Sequence, residues 1–216
     1  MSILFFALGT VPDVAGLRLL HGLPAQLADF EVIEYALQKQ RAMGEHGELP
    51  AHLQRIVHIA WIRSAAPQFA LHSVAEAGQG EAALLQQFLD LLGEDVLDAP
   101  EHAMPILHSR ALVSAVRLPA SWPTNVCAGA GAQLTQLPRV PLHELASLCG
   151  LTVPATLTED ARISASLAGE FDLIRRDCEA RVLGRYFIFL REQHMRGQLD
   201  AAAYEQSLLG LRAALA

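Results

Sequence analysis

The stretch Ser2-Ile-Leu-Phe-Phe-Ala-Leu8 is a short apolar run, and Gly9-Thr-Val-Pro12-Asp13 follows it directly. A continuous apolar run of this length, bounded by Gly and Pro, is typical of a buried strand. We therefore predict a buried first strand that ends in a turn at residues 9–13. In that turn, Asp13 is expected to accept hydrogen bonds from backbone N–H groups.

The sequence after residue 13 predicts further strands and a set of helices that cover the sheet. Residues 55–63 and 68–74 are rich in β-forming side chains and predict a hairpin, and residues 94–98 predict a short strand. Residues 117–139 have little periodicity and predict a long loop. Helices are predicted at residues 28–44, 80–92, 104–116, 141–149, 158–167, 171–196 and 201–215. Strands come first and helices later, so we predict an α/β mixed sheet flanked by helices.

The composition fits one globular domain. The chain has 216 residues, of which 52% are hydrophobic and 18% charged. We expect a single domain, 1–216, with residues 198–216 as a C-terminal helical extension. No apolar run reaches the ~18 residues that span a bilayer, and no basic N-terminal signal is visible. A soluble cytoplasmic protein that does not bind membranes is therefore expected.

The net charge is −7 at pH 7. Proteins that follow a phosphate backbone usually carry a basic face, because counterion release supplies most of their affinity. A nuclease can still be acidic, since its metal ions bridge carboxylates to phosphate. The charge therefore weighs against nucleic acid as the main partner without excluding nucleic acid or a nucleotide.

The metal-binding residue types form no familiar motif. The histidine pairs at residues 52/58 and 102/108 are six apart, which does not stack two imidazoles on one helical face. The cysteines Cys127, Cys149 and Cys178 are distant from one another and predict reduced, buried thiols. We predict neither a metal site nor a cofactor from these residues.

Three separated stretches resemble the DEDD-type, ribonuclease H-like 3′–5′ exonucleases, in particular the group related to the exonuclease domain of family B DNA polymerases. They are Leu4-Phe-Phe-Ala-Leu-Gly-Thr-Val-Pro-Asp13, Pro100-Glu-His-Ala-Met-Pro-Ile-Leu-His-Ser-Arg-Ala-Leu112 and Ile174-Arg-Arg-Asp-Cys-Glu-Ala-Arg-Val-Leu-Gly-Arg-Tyr186. Residues 49–60 also resemble the entry of that group's second strand. The resemblance implies a ribonuclease H-like fold and metal-dependent 3′–5′ exonuclease activity.

The resemblance also implies four carboxylates, which in such enzymes hold two divalent ions that activate water. This sequence departs from that pattern at every one of those positions. The two first-strand acids align with Ala7 and Gly9, the second-motif Asp with Ala103, the third-motif Asp with Arg181, and its Tyr with Asp177. Residues 128–133 replace the usual acidic segment before the later helix. We therefore expect a degenerate member of the family without nuclease activity.

Other carboxylates near the motifs could in principle rebuild a metal site. They are Asp13, Asp98, Glu101, Asp172, Asp177 and Glu179. Local roles are simpler for these residues: Asp13 falls in a turn, and Asp177 lies one helical turn from Arg181.

The sequence leaves two interpretations of Arg181 open. One is a helical i, i+4 ion pair with Asp177. The other is a phosphate or nucleotide site in the former active cleft, for which the candidate residues are Arg181, Arg185, Asp177 and His102. The arginines of the long helix, at positions 175, 176, 181, 185, 191 and 196, form either a solvated face or a basic strip.

The function expected from these observations is a binding, scaffold or regulatory module. A protein interface, in particular a homodimer, is the favoured use of the high apolar content. The terminal helix and the loop around Trp122 are the expected apolar surfaces. The alternatives are a nucleotide or phosphate sensor, a protein that binds nucleic acid without cutting it, and an exonuclease with residual activity.

Overall fold

The computed structural model describes residues 3–44, 49–64, 68–76, 78–93, 95–98, 100, 102–120, 122 and 140–215. Four strands form one sheet: β1 (Ile3–Pro12), β2 (Gln54–Arg63), β3 (Leu71–Ala75) and β4 (Val96–Asp98). Their order is β3-β2-β1-β4. β2 pairs antiparallel with both β1 and β3, whereas β4 pairs parallel with β1. The sheet is therefore mixed, with β1 and β2 at its centre.

Eight helices surround the sheet in the described part of the chain. They are α1 (Val14–His21), α2 (Asp29–Ala42), α3 (Glu81–Asp90), α4 (Ala103–Val113), α5 (Leu142–Leu148), α6 (Glu159–Ala168), α7 (Phe171–Met195) and α8 (Ala201–Leu215). A 3₁₀ turn, Ala51–Leu53, leads into β2. The predicted fold class is confirmed: a mixed α/β sheet flanked by helices, with a helical C-terminal part. This arrangement is consistent with a ribonuclease H-like exonuclease domain.

The predicted end of the first strand was wrong. β1 continues through Gly9 to Pro12, because its pairing with β2 extends as far as the Pro12–Gln54 pair. The register shifts between Gly9 and Thr10, so Val57 of β2 is an extra residue opposite that step. The turn begins only at Asp13, whose carboxylate accepts from Gly16 N at 3.0 Å and caps α1. This capping role was predicted, whereas α1 itself was not.

The two faces of β1 bury different cores, because side chains alternate along a strand. Phe5 and Ala7 face α7 and share a core with Tyr186. Leu4, Phe6 and Leu8 face the other side, where α3 and α4 cover them. Phe5 and Tyr186 meet edge to face, with ring centroids 5.4 Å apart. These contacts fix the middle of α7 against β1.

The apolar side chains of α8 and Trp122, which were expected at the surface, mostly pack inside the molecule. The stripe of α8 at Tyr204, Leu208 and Leu211 is buried in the same core as α7. Trp122 packs against the second core, and its Nε1 lies 3.1 Å from His108 Nδ1. The buried stripe of α8 and the ring of Trp122 therefore pack inside the molecule, whereas Leu209 of α8 is exposed. That these segments offer surface to a partner stays a prediction.

Three smaller expectations concern membrane-spanning helices, the cysteine thiols and the predicted long loop. None of the helices in the described ranges is long and apolar enough to cross a membrane. Cys178 is buried as a free thiol, as predicted, while Cys149 is a free thiol that is only half-buried. Cys127 and the predicted loop residues 123–139 lie outside the described residues.

Candidate functional site

Arg181 lies in the middle of α7, and its guanidinium connects two elements. Its Nε donates to Asp177 Oδ2 at 3.0 Å, one helical turn earlier, and its Nη2 donates to the Leu8 carbonyl of β1 at 2.7 Å. Asp177 also accepts from the backbone N–H of Leu157 at 2.8 Å. The predicted i, i+4 pair is confirmed, and the guanidinium also reaches the backbone of β1.

Ala7 is completely buried at the position that the resemblance aligns with the first Asp. It packs against α7, where Cys178 Sγ donates to the Ala7 carbonyl at 3.1 Å. Burial raises the pKa of this thiol to about 12. A carboxylate at position 7 would have to ionise in the same apolar surroundings, which carries a large desolvation cost.

Gly9, the position aligned with the Glu, has no space for a side chain. A Cβ at Gly9 would lie 2.9 Å from His58 Cβ and 3.0 Å from Ile174 Cγ2. Both neighbours are buried, His58 on β2 and Ile174 on α7. The packing between β1, β2 and α7 therefore requires glycine here, and the space of a carboxylate side chain is already filled.

Arg185 lies one turn beyond Arg181 and binds Asp98 at the end of β4. Its Nε donates to Asp98 Oδ1 at 2.8 Å, and its Nη2 donates to the same oxygen. Asp98 lies beside Phe5 in the parallel β1–β4 pairing, which places its carboxylate on the α7 side of the sheet. Burial raises the pKa of Asp98, although the charge and hydrogen bonds of Arg185 act in the opposite direction.

The start of α4 holds Ala103, which aligns with the second-motif Asp, and the candidate ligand-binding residue His102. Ala103 packs in the second core with Phe6 and Leu8, on the face of β1 opposite to Ala7. His102 is exposed, and its side chain does not cap α4. Of the candidate ligand-binding residues, Asp177 and Arg181 form an ion pair. Arg185 lies one turn further along α7 and binds Asp98 instead, and His102 lies at the start of α4.

Each described carboxylate that could have rebuilt a metal site is bound by a guanidinium. The pairs are Asp13 with Arg110, Asp98 with Arg185, Asp172 with Arg175 and Arg176, Asp177 with Arg181, and Glu179 with Arg175. Glu101 lies outside the described residues. Within the described ranges, no group of three or more His, Cys, Asp or Glu side chains is arranged to hold a metal ion.

The side chains at the aligned positions do not fit the two divalent ions that the resemblance implies. Magnesium-type ions need several oxygen ligands at short distances. Ala7, Gly9 and Ala103 provide no side-chain oxygen, and Arg181 adds a positive charge that repels a cation. A catalytic step through metal ions therefore cannot be assigned to these residues.

The arginines of α7, together with Arg196 at its C-cap, all have partners. Arg175 binds Asp172 and Glu179, Arg176 binds Asp172, Arg181 binds Asp177, Arg185 binds Asp98, Arg191 binds Tyr204, and Arg196 binds Glu192. Five of the six guanidiniums are thus neutralised by a carboxylate. A basic strip formed by these arginines would therefore carry little net charge. Ion-paired arginines release few counterions from nucleic acid, so this interpretation is weakened.

A buried hub at Arg110 was not singled out from the sequence. Arg110 donates to Glu81 from Nε at 2.9 Å and from Nη2 at 2.5 Å, and from Nη1 to Asp13 at 2.7 Å and to the His52 carbonyl at 2.8 Å. Glu81 also accepts from Ile56 N at 2.7 Å. The hub joins α4, α3, β2 and the turn after β1. Only the position of Arg110 in the second motif could have pointed to it.

Comparison with known proteins finds a family match for the C-terminal part of the chain. Residues 132–216 match the family described as a predicted 3′-5′ exonuclease related to the exonuclease domain of PolB. This segment contains α5 to α8 and the third motif, whereas the first two motifs lie outside it. The match covers less than half of the chain. No curated protein and no solved structure shows significant similarity to the chain.

Proposed function

We propose that the protein is a 3′–5′ exonuclease-like protein that no longer cleaves nucleic acid and acts as a binding module. The observation that carries this proposal is the position of Arg181, whose guanidinium donates to Leu8 O at 2.7 Å and Asp177 Oδ2 at 3.0 Å. A fixed cation thus lies beside β1. In the exonuclease family that the chain resembles, the corresponding strand carries carboxylates that hold metal ions. The absence of space at Gly9 supports the same conclusion.

Loss of metal-dependent cleavage follows from elementary chemistry. Without carboxylate ligands, nothing at these positions holds an ion that lowers the pKa of the attacking water or stabilises the leaving oxygen. Labelled single-stranded DNA and RNA, incubated with the full chain and Mg²⁺ or Mn²⁺, should stay intact. EDTA-sensitive shortening from the 3′ end would overturn the proposal.

The favoured binding partner is a protein, and a second copy of this chain is the first candidate. α1 and α2 pack against each other and leave the apolar side chains Leu19, Leu20 and Phe30 exposed. Arg18 binds Asp29 at 2.9 Å and thereby keeps the last turn of α1 beside the first turn of α2. Exposed apolar groups at one end of a helix pair are typical of an interface.

Association can be tested with matched substitutions. Light scattering at tens of micromolar should give about twice the monomer mass of 23.4 kDa. Leu19→Glu should give the monomer, whereas Leu209→Glu, an exposed position on α8, should leave the dimer intact. A monomeric wild-type chain would remove the homodimer and make a different protein partner the better hypothesis.

An active exonuclease is the second candidate, because residues 132–216 match a family with that predicted activity. A phosphate or nucleotide sensor is supported less, since Arg181 and Arg185 would have to give up Asp177 and Asp98 to bind an anion. A thermal-shift series with nucleotides and metal ions separates these cases. A ligand at 100 times its Kd stabilises the folded state by about 2.7 kcal/mol, whereas a non-ligand leaves the melting temperature unchanged.

A further inference from the structure

A groove lies between the first turn of α7 and the β2–β3 edge of the sheet, separate from the Arg181 contacts. Its volume is about 300 Å³. Val57, His58 and Ala75 line it from the sheet, and Phe171 and Arg175 line it from α7. We call it the His58 groove. Its volume lies at the lower limit of small-molecule sites, so it suits a small ligand.

The bulge in β2 places Val57 beside His58 on the wall of this groove. His58 faces α7 by regular alternation with Ala60 and Ile62, and Val57, the extra residue opposite the Gly9–Thr10 step, lies on the same side of the sheet. Bulges of this kind often redirect a side chain beside a functional site. Here the bulge brings two neighbouring side chains of one strand, Val57 and His58, to the same wall of the groove.

The imidazole of His58 has an unused polar atom. Its side chain is only 4% exposed, and Nε2 has no hydrogen-bond partner in the described structure. The nearest carboxylate oxygen, Glu179 Oε1, is 4.0 Å away, which is too long for a hydrogen bond. That oxygen accepts from Ser73 Oγ at 2.8 Å instead. A buried nitrogen without a partner is costly, so a ligand that bonds to it gains free energy.

The charges around the groove cancel. Three carboxylates and three guanidiniums pair with one another: Glu76 with Arg55, Asp172 with Arg175 and Arg176, and Glu179 with Arg175. A phosphate would meet the carboxylates at close range, and an ammonium would meet the guanidiniums. Neither sign of charge gains from the groove, which favours an uncharged ligand.

The remaining walls are apolar and include one aromatic ring. Val57 and Ala75 lie beside His58, and Phe171 extends from the first turn of α7 with 45% of its surface exposed. An exposed phenyl ring beside a cavity offers a flat face on which a planar molecule can stack. The combination of one ring face and one buried hydrogen-bonding nitrogen restricts the shape of the ligand.

We infer that the His58 groove binds an uncharged, planar heteroaromatic molecule of nucleobase size, which stacks on Phe171 and hydrogen bonds to Nε2 of His58. Burial lowers the pKa of His58 to about 4, so the imidazole is neutral at physiological pH and carries one proton. A base edge with both donors and acceptors matches either tautomer of the ring. The site is distinct from an anion site at Arg181 and does not depend on loss of nuclease activity.

Calorimetric titration of the full chain with adenine, cytosine, AMP and inorganic phosphate tests this inference. At least one free base should bind saturably with one site per chain, at micromolar to millimolar Kd, and phosphate should not bind. AMP should bind no more tightly than adenine. No saturable binding of either base, or binding of AMP and phosphate alone, would overturn the proposal. The nuclease assay is independent of this result, so the two proposals fail separately.

Variants locate the binding. Phe171→Ala should weaken binding of the base at least tenfold, whereas Leu173→Ala should not change it. The two side chains are matched controls, because both lie on the first turn of α7 and are 45% and 43% exposed. In addition, the ¹⁵N resonance of His58 Nε2 should shift on addition of the base. Equal effects of the two substitutions, or an unchanged Nε2 resonance, would place the base elsewhere and refute the inference.

Discussion

A Cβ on Gly9 would approach the Cβ of His58 to 2.9 Å, so His58 occupies the space in which a side chain of Gly9 would begin. The two residues are register partners in the β1–β2 pairing, at the step where β2 bulges. The position aligned with a catalytic Glu and the imidazole that faces the groove are therefore parts of one packing arrangement. Restoring the acidic side chain would require moving His58 or Ile174.

The first prediction concerns this close approach. Gly9→Ala should lower the free energy of unfolding by about 1–3 kcal/mol, because overpacking a buried strand forces backbone or rotamer shifts. Urea denaturation monitored by circular dichroism measures the change. Gly93→Ala is the matched control, since a Cβ at Gly93 would meet no atom within 4 Å. A Gly9→Ala variant as stable as the control would show that position 9 has room for a side chain.

Much of the fold could be predicted because its signals are local. The apolar run before Gly9 marks β1. The predicted range of the long helix, 171–196, differs from Phe171–Met195 by one residue. The end of β1 was misplaced because Gly9 and Pro12 indicate a turn locally. Pairing with β2, on a segment more than 40 residues away, extends the strand and leaves no local signal.

The contacts of the candidate site also differ in whether the sequence could predict them. The Arg181–Asp177 pair was predictable, since a helix brings residues four apart together. Arg185 with Asp98 and Arg110 with Glu81 depend on the tertiary fold, because their partners are distant in sequence. His58 was not singled out because the groove that it lines is formed by β2, β3 and α7, which are distant in sequence.

The second prediction is a pH dependence that His58 causes. Its folded-state pKa is about 4, lowered mainly by burial and also by Arg175, while Glu179 acts in the opposite direction. The unfolded state therefore binds more protons between pH 6.5 and 4. Stability contributed by neutral His58 is complete above pH 6.5 and is lost as pH falls towards 4. The free energy of unfolding should fall by about 2 kcal/mol over this pH range.

Other groups titrate in the same range, so the comparison requires a variant. His58→Gln replaces the imidazole with a polar side chain that does not titrate. Urea denaturation at several pH values between 7 and 4.5 should show a steeper loss of stability for the wild type than for the variant. Parallel curves would mean that His58 has an ordinary pKa and is not held neutral by burial.

The third prediction concerns the buried hub. Arg110→Met should lower the free energy of unfolding by about 3–5 kcal/mol, because Glu81 and Asp13 would remain buried without their shared cation. Arg41→Met is a suitable control, since Arg41 pairs with Glu34 at 3.7 Å and both side chains are exposed. That change should cost less than about 1 kcal/mol. Similar losses for both variants would contradict a special role for the hub.

The last prediction concerns Arg181 and the region between α7 and β1. Arg181→Met removes the donor to Leu8 O and to Asp177, whose carboxylate then keeps only the N–H of Leu157. An unpaired carboxylate in a buried position is destabilising, so the free energy of unfolding should fall by about 2–3 kcal/mol. Hydrogen exchange should show faster opening of the Leu8 end of β1 than in the wild type.

Arg196→Met, at the C-cap of the same helix, provides the comparison. Arg196 also forms an i, i+4 pair, with Glu192, but 51% of its side chain is exposed, against 16% for Arg181. Its removal should cost no more than about 0.5 kcal/mol. Added Mg²⁺ or Mn²⁺ should not raise the melting temperature of either variant, because removing the guanidinium leaves Ala7 and Gly9 without oxygen side chains. If Mn²⁺ stabilised Arg181→Met but not Arg196→Met, the position would retain metal affinity and the structural role assigned to Arg181 would be wrong.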